Sequence, residues 1–339
     1  MWRIKSSRMI TKTMNSQSRL VGPLLCSAVW VCAVPNAAAQ SAYPSKPVQI
    51  IVPYTAGGGA DVIVRAVAQR LAQTWGRNVV IDNRAGASGM IGTELVAKAE
   101  PDGHTLLGHT SGYPATAAIR KKLPFDPARS LLPVAMIAKA PLVLAVHPSV
   151  PAKSLEELVA LAKNHPGKLN YSSAGTGGNN HFAASLFASA TGIKLTHIPY
   201  KGVAQAAIAL VSGEVEMLFA SSPAISPQLK AGRLRALGVT SLHPSPLMPE
   251  LPALAQSGVP GYNYELWWAL FAPAGIPPDR TNVINAAVAK ILAGAEMRKF
   301  LSNDGAEPWP LSLEQLSDLL PKEIERYRKI AKAAGIEPE

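Results

Sequence analysis

The sequence predicts an α/β protein of two lobes built on mainly parallel sheets, and three observations carry that reading. Short, nearly continuous apolar runs alternate with amphipathic stretches of helical period, the pattern of strands joined by crossover helices. The alternation occurs twice, once before residue 110 and again after residue 142. In each half a glycine-rich loop carries the chain from a strand into a helix: Ala56-Gly57-Gly58-Gly59-Ala60-Asp61, then Ala174-Gly175-Thr176-Gly177-Gly178-Asn179-Asn180.

In the first half, Val48 to Val52 is an apolar run expected to be a strand buried on both faces. From Asp61 to Trp75 the period changes: Ile63, Val67, Leu71 and Trp75 fall at i, i+4 spacing with polar residues between, an amphipathic helix. Val79-Val80-Ile81 is a strand, 89–98 a helix and Thr105-Leu106-Leu107 a third strand, giving βαβαβ with right-handed crossovers. In the second half Leu142 to Val146 is a strand, and Ser154-Leu155-Glu156-Glu157 opens a helix to Lys163 as a capping box. Strands follow at Leu169–Ser172, Lys194–Ile198, Val215–Phe219 and Leu234–Val239, with helices at Asn180–Thr191, 203–212 and 224–231 between them. The last third holds a strand over Leu266–Phe271 and helices near 281–293 and 312–334, the latter opened by the capping box Ser312-Leu313-Glu314-Gln315.

Ahead of all this lies a segment of different character. Residues 1–39 carry Arg3, Lys5, Arg8, Lys12 and Arg19 and no acid, then an apolar stretch from Leu20 to Val34, then Pro35-Asn36-Ala37-Ala38-Ala39-Gln40. A basic start, a short apolar run and a small-x-small ending make a cleavable signal peptide, with cleavage expected after Ala39 and initiation at Met1, Met9 or Met14. Its unbroken apolar part, Leu24–Val34, is too short to span a bilayer of about 30 Å. No twin-Arg pair is present, and neither Cys26 nor Cys32 follows a small residue as a lipid-attachment cysteine would.

Removing this leader changes the charge argument. The chain carries 33 Lys+Arg against 22 Asp+Glu, a net +11; the five leader charges leave +6 on residues 40–339. That charge is dispersed, so a nucleic-acid stripe is not expected. Both cysteines leave with the leader, so the exported protein is expected to have no disulfide, thiolate nucleophile or cysteine metal site. GxSxG, HExxH and GxxxxGK[ST] are absent, GxGxxG fails at Val62 and Asn180, and the seven histidines have no ligand spacing. No catalytic residue, metal or cofactor is expected.

The glycine loops carry the positive reading. At a helix start the first backbone N–H groups have no intrahelical partner and the helix dipole favours negative charge. Glycines let such amides close around an oxyanion, and ligands of open parallel sheets sit beyond the carboxyl ends of strands. Two such loops form two jaws for one anionic ligand. Asp61 at a helix start is either a ligand for an amino group or a cap; His181 faces a ligand or holds a local hydrogen bond. One of Trp267 and Trp268 is expected in the core, because adjacent strand residues face opposite sides. Tyr200-Lys201-Gly202 and Asn83-Arg84 are expected on solvated loops.

The segments Val52-Pro53-Tyr54-Thr55-Ala56-Gly57-Gly58-Gly59-Ala60-Asp61 with Arg65, Asp82 to Gly92, Pro101 to Leu106, Leu169 to Gly177, Pro199 to Gly202, and Trp267 with Phe271-Ala272-Pro273-Ala274-Gly275 occur in that order along the chain. Together they resemble the tripartite tricarboxylate transporter substrate-binding proteins, the Bug family. The resemblance implies a periplasmic binding protein type 2 fold: two lobes joined by crossover strands around a central cleft that captures a small carboxylate. It implies residues 40–141 plus 242–339 as one lobe and 142–241 as the other, and a monomeric receptor serving two integral membrane transporter subunits. Carried over residue by residue, the ligand site is Tyr54, Thr55, Ala56, Gly57, Gly58 and Asp61 from the first loop and Gly175, Thr176, Gly177, Asn179 and His181 from the second. Thr110, Ser111, Ser221 and Ser222 would line the rest.

Departures from the family pattern are Asn179 and Asn180 in place of small hydroxyl residues, Ser185 for a helix glutamate, and Ala253 for the threonine of a Pro-x-x-Pro-Thr segment. A periplasmic sensor feeding a two-component receptor would share this fold and cleft, and an exported hydrolase is the remaining rival.

Overall fold

The computed structural model describes residues 43–333, 335 and 336; the expected signal peptide and both cysteines lie outside them. The first half builds β1 (Val48–Val52), α1 (Gly59–Trp75), β2 (Val79–Asn83), α2 (Met90–Ala97), β3 (Thr105–Thr110) and α3 (Gly112–Ile119). Strands β1, β2 and β3 are parallel, in the order β2-β1-β3. The second half repeats the plan with α4 (Leu155–Asn164), β5 (Asn170–Ser173), α5 (Asn179–Thr191), β6 (Thr196–Pro199), α6 (Val203–Ser212), β7 (Met217–Ser221), α7 (Ser222–Lys230) and β8 (Arg235–Val239). There β5 runs parallel to both β6 and β7.

Between the parallel groups run two long strands. β4 (Leu131–Val146) begins eleven residues before the expected Leu142, and β9 (Glu265–Pro273) pairs antiparallel with it and with β3. Over Leu131–Pro141 β4 lies against β9, with the short β10 (Glu307–Pro308) beside it. Over Leu142–Val146 it is flanked by β7 and β8, both antiparallel. The sheets are therefore mixed: parallel at the flanks, antiparallel where the crossing strands enter. Apolar content predicts strands but not their direction, which is set by partners far away in sequence.

Four apolar clusters fill the two lobes, one on each face of each sheet portion. In the first lobe α1, α8 (Pro278–Ala293) and α9 (Ala295–Asn303) cover one face through Ile63, Leu71, Ile284 and Leu301. The other face packs Met90, Tyr113, Trp267 and Phe271 against Leu316 of α10 (Leu313–Ser317) and Leu320 of α11 (Leu319–Ala333). In the second lobe Phe182, Phe187 and Phe219 pack on one face, and Leu210, Leu218 and Ile225 on the other. α11 belongs to both lobes: Leu320 and Ile324 lie in a first-lobe cluster, Tyr327 and Ile330 in a second-lobe one.

Candidate functional site

The first glycine loop is shaped from within. Gly57 takes φ +79°, Gly58 caps α1 with extended backbone, and the Gly57 amide donates to Asp61 Oδ2 over 3.0 Å. The same carboxylate accepts from Arg65 Nη2 (2.7 Å) and Nε (3.2 Å) and from Asn83 Nδ2 (3.0 Å). Burial alone would raise the pKa of Asp61, but hydrogen bonds from Arg65, the Gly57 amide and Asn83, with the Arg65 charge, hold it below the ordinary carboxylate range. Asp61 is 3 % exposed and spent on its own loop, so it braces the backbone and leaves no oxygen for a ligand's amino group. Asn83, expected on a solvated loop, also donates to the Tyr54 carbonyl over 3.0 Å.

The second loop repeats this geometry with different chemistry. Gly177 takes φ +74°, Gly178 caps α5 with extended backbone, and the Gly177 amide donates to His181 Nδ1 over 3.1 Å. The His181 ring stacks on His197 with centroids 4.0 Å apart, and His197 Nε2 lies 2.6 Å from Ser173 Oγ, which bonds Gly175. Burial, and then the neighbouring His197, push the His181 pKa down to about 4, so the imidazole is neutral and can accept at pH 7. Neither capping glycine offers a side-chain acceptor to the first helical turn, and the amides there stay available to an anion.

A cavity of about 380 Å³ lies against the second loop, a volume in the range of small-molecule sites. Of the predicted residues, Tyr54, Gly175, Thr176, Gly177, Asn179 and Ser221 line it. Thr110 and Ser111 stand one contact behind: Thr110 Oγ1 is 3.1 Å from the Tyr54 hydroxyl, and Ser111 Oγ donates to Asn179 Oδ1 over 3.3 Å. Burial pushes the Tyr54 phenol up to about 12, against an opposing hydrogen bond with Thr110, so it stays protonated. Thr55, Ala56 and Gly57 are exposed on the first loop and Gly58 is half-buried; none of the four lines the cavity. Asp61 and His181 sit behind their loops, and Ser222 bonds Ser226 Oγ at 3.1 Å along its own helix.

The structure adds lining residues that the sequence reading did not single out: Ser88, Thr116, Leu142, Val203 and Leu266. Leu142 and Leu266 lie on the crossing strands β4 and β9, which put apolar surface at the cavity. Ser88 lies in a turn where Ala87 (φ +47°) and Ser88 (φ +56°) are both left-handed; the flanking Gly86 and Gly89 were its sequence signal. No charged side chain lines the cavity among the described residues. Both tryptophans are core: Trp267 and Trp268 are buried in clusters on opposite faces of the sheet, and Trp267 Nε1 donates to Glu323 Oε2 over 3.1 Å.

Comparisons with known proteins agree with this fold. Residues 63–336 match a family model described as the tripartite tricarboxylate transporter family receptor. The chain is 37 % identical over 290 residues to a protein from the tcbD-tcbE intergenic region of Pseudomonas sp. strain P51, covering 85 % of this chain and 86 % of that protein. It is 33 % identical over 295 residues to BugT of Bordetella pertussis strain Tohama I, covering 86 % of this chain and 90 % of BugT. Among solved structures it is similar to R. palustris Rpa4515 with adipate, at TM-score 0.78 and 36 % identity, covering 88 % of this chain and all (100 %) of that one. MatC (Rpa3494) from Rhodopseudomonas palustris, with bound malate, superposes at TM-score 0.73 and 30 % identity, covering 85 % and 99 %.

Proposed function

The chain belongs to the tripartite tricarboxylate transporter receptor family, and from that premise we propose that it is an exported periplasmic receptor that captures a small carboxylate between its two lobes. The observation that carries this reading is the uncharged cavity set against the uncapped start of α5. Backbone amides and the protonated Tyr54 hydroxyl take the negative charge, with no guanidinium or ammonium in the wall. Ligand identity then comes from the wall, where Asn179 and Ser221 line the cavity and Thr110 and Ser111 support it from behind. The first loop, Tyr54 to Gly58, forms the opposing jaw, and residues 142–241 form the lobe that moves against 40–141 and 242–339.

Closing the lobes on the ligand creates the surface that two membrane transporter subunits recognise, which is how binding is converted into delivery. The adipate and malate held by its relatives belong to the ligand class proposed here. Isothermal titration of ligand-free, refolded protein against mono-, di- and tricarboxylates tests the reading. Micromolar binding of at least one carboxylate is expected; heats at the level of buffer for the whole panel would end the carboxylate assignment.

A further inference from the structure

Asn179 opens α5 at the cavity wall, and its carboxamide is oriented by residues that do not line the cavity. Ser111 Oγ donates to Asn179 Oδ1 over 3.3 Å and Tyr264 Oη donates to the same oxygen over 2.9 Å. Tyr327 Oη, on α11, donates in turn to Tyr264 Oη over 3.4 Å. Ser111, Tyr264 and Tyr327 are all fully buried. Each phenol has one proton; the Tyr327 proton goes to Tyr264, so the Tyr264 proton is committed to Asn179. Two donors fill the amide oxygen, which turns the Nδ2 group the other way. It lies toward Gly112: a Cβ placed on Gly112 would be 3.9 Å from Nδ2 and 2.9 Å from the Tyr54 hydroxyl, and Asn179, Gly112 and Tyr54 all line the cavity.

The wall thus presents donors, and among the described residues no carboxylate lines it to meet a cationic ligand group. Asp61, the acid nearest in sequence to the first jaw, has its oxygens taken by Gly57, Arg65 and Asn83. We propose, on the reading given above, that Asn179 Nδ2 is the donor that selects the ligand, favouring a carboxylate with a second acceptor oxygen and no ammonium group. Tyr264 and Tyr327 are the positioning residues that fix its orientation. An α-amino acid of equal length brings a buried ammonium with no carboxylate to meet it, and is rejected on that ground.

Titration of the full exported chain with succinate, glutarate and adipate, and with aspartate and glutamate, separates the classes. At least one of the three dicarboxylates binds at least about 30-fold tighter than either amino acid, the size expected for one unpaired buried charge. Asn179→Asp keeps the oxygen that Ser111 and Tyr264 bond but replaces the donor with a negative oxygen, and weakens the preferred dicarboxylate roughly 100-fold at unchanged melting temperature. Tyr264→Phe weakens it about 3- to 10-fold, Tyr327→Phe by less, and both effects vanish in an Asn179→Ala background.

Tighter binding of aspartate or glutamate, or an Asn179→Asp variant that binds as wild type does, overturns the proposal while leaving carboxylate capture standing. A Tyr264→Phe effect undiminished in the Asn179→Ala background overturns the positioning role. Failure of the wild type to bind any carboxylate removes the functional reading itself.

Discussion

Gly177 donates its amide proton to His181 Nδ1, four residues ahead, just as Gly57 donates to Asp61 Oδ2 in the other lobe. The two loops share φ near +75° at the donor glycine and extended backbone at the capping glycine. One backbone shape is therefore held by an anion in one jaw and by a neutral ring in the other. The two jaws respond differently to removal of the brace and to acid.

Asp61→Ala removes the acceptor of three donors from Gly57, Arg65 and Asn83 at a site only 3 % exposed. Arg65 loses both bonds to the carboxylate, Gly57 loses its acceptor and Asn83 Nδ2 keeps only the Tyr54 carbonyl, and a loss of about 2–3 kcal/mol in unfolding free energy is expected from that. Urea unfolding followed by circular dichroism measures it; a midpoint within error of the wild type would show that the loop is not held this way.

His181 binds its proton less readily folded than unfolded, with a folded pKa of about 4 against 6.5. The unfolded chain therefore takes up more protons between those values, and stability is full above about pH 6.5 and falls as pH drops toward about 4. The groups facing the ring are His197, also shifted down by burial, Tyr171 and the Gly177 amide. His181→Asn, which keeps an acceptor, removes a contribution on the order of 2 kcal/mol to this slope. Melting temperatures at pH 7.5 and 5.0 decide the point: parallel slopes for the two proteins contradict the expectation.

Gly57 and Gly177 need the same positive φ but differ in surroundings. A Cβ at Gly57 meets nothing within 4 Å, whereas one at Gly177 falls 2.5 Å from Ile119 Cδ1. Gly57→Ala is expected to lose about 1 kcal/mol from backbone strain alone. Gly177→Ala should lose roughly twice that, with weaker ligand binding as the loop shifts off Ile119. Denaturation midpoints of the two variants side by side measure the difference, and equal losses would contradict it.

Thr240, directly after β8, ties the crossing strand to the second-lobe edge. Its Oγ1 accepts from the Leu142 amide over 2.7 Å and donates to the Tyr264 carbonyl over 2.6 Å, in a site 0 % exposed. Thr240→Val keeps the shape and strands both partners, at about 2–3 kcal/mol; Thr240→Ser should recover most of it. Chemical denaturation of both variants provides the measurement, and a Val variant as stable as the Ser variant would refute the role.

The helices were legible where period and caps agreed. α6 spans the expected 203–212, and Ser312 makes the full capping box with Gln315. Ser154 accepts from Glu157 as expected, though the Glu157 carboxylate reaches the Lys153 amide rather than that of Ser154. The expected helix over 312–334 is instead two, divided at Asp318. α3 and the Leu131–Pro141 part of β4 were not expected, because Gly112 and Pro114 in the one and Pro133 and Pro141 in the other are residues that ordinarily interrupt such elements. Around the cavity the glycine loops were visible from local sequence alone. Tyr264, Tyr327, Leu142 and Leu266 were not, because they reach the site only through pairing and packing distant in sequence.

β4 crosses from one lobe to the other as one strand; bulges between Pro133 and Ala135 and between Met136 and Ala138 interrupt its alternation, and from Ala138 onward its side chains alternate between the two sides. In the second lobe Leu142, Leu144 and Val146 serve one core, Val143 and Ala145 the other. Parity is thus handed over at the end of the first lobe: the residue count from Ala138 and Ala140 to Leu142 decides which core each later side chain enters. Deleting a single residue near Ala140 would act as a frameshift in space, sending the Leu142 row toward α6 and α7 and the Val143 row toward α5. Both lobes can vary the length of their loops independently, but along this one strand they share a single reading frame.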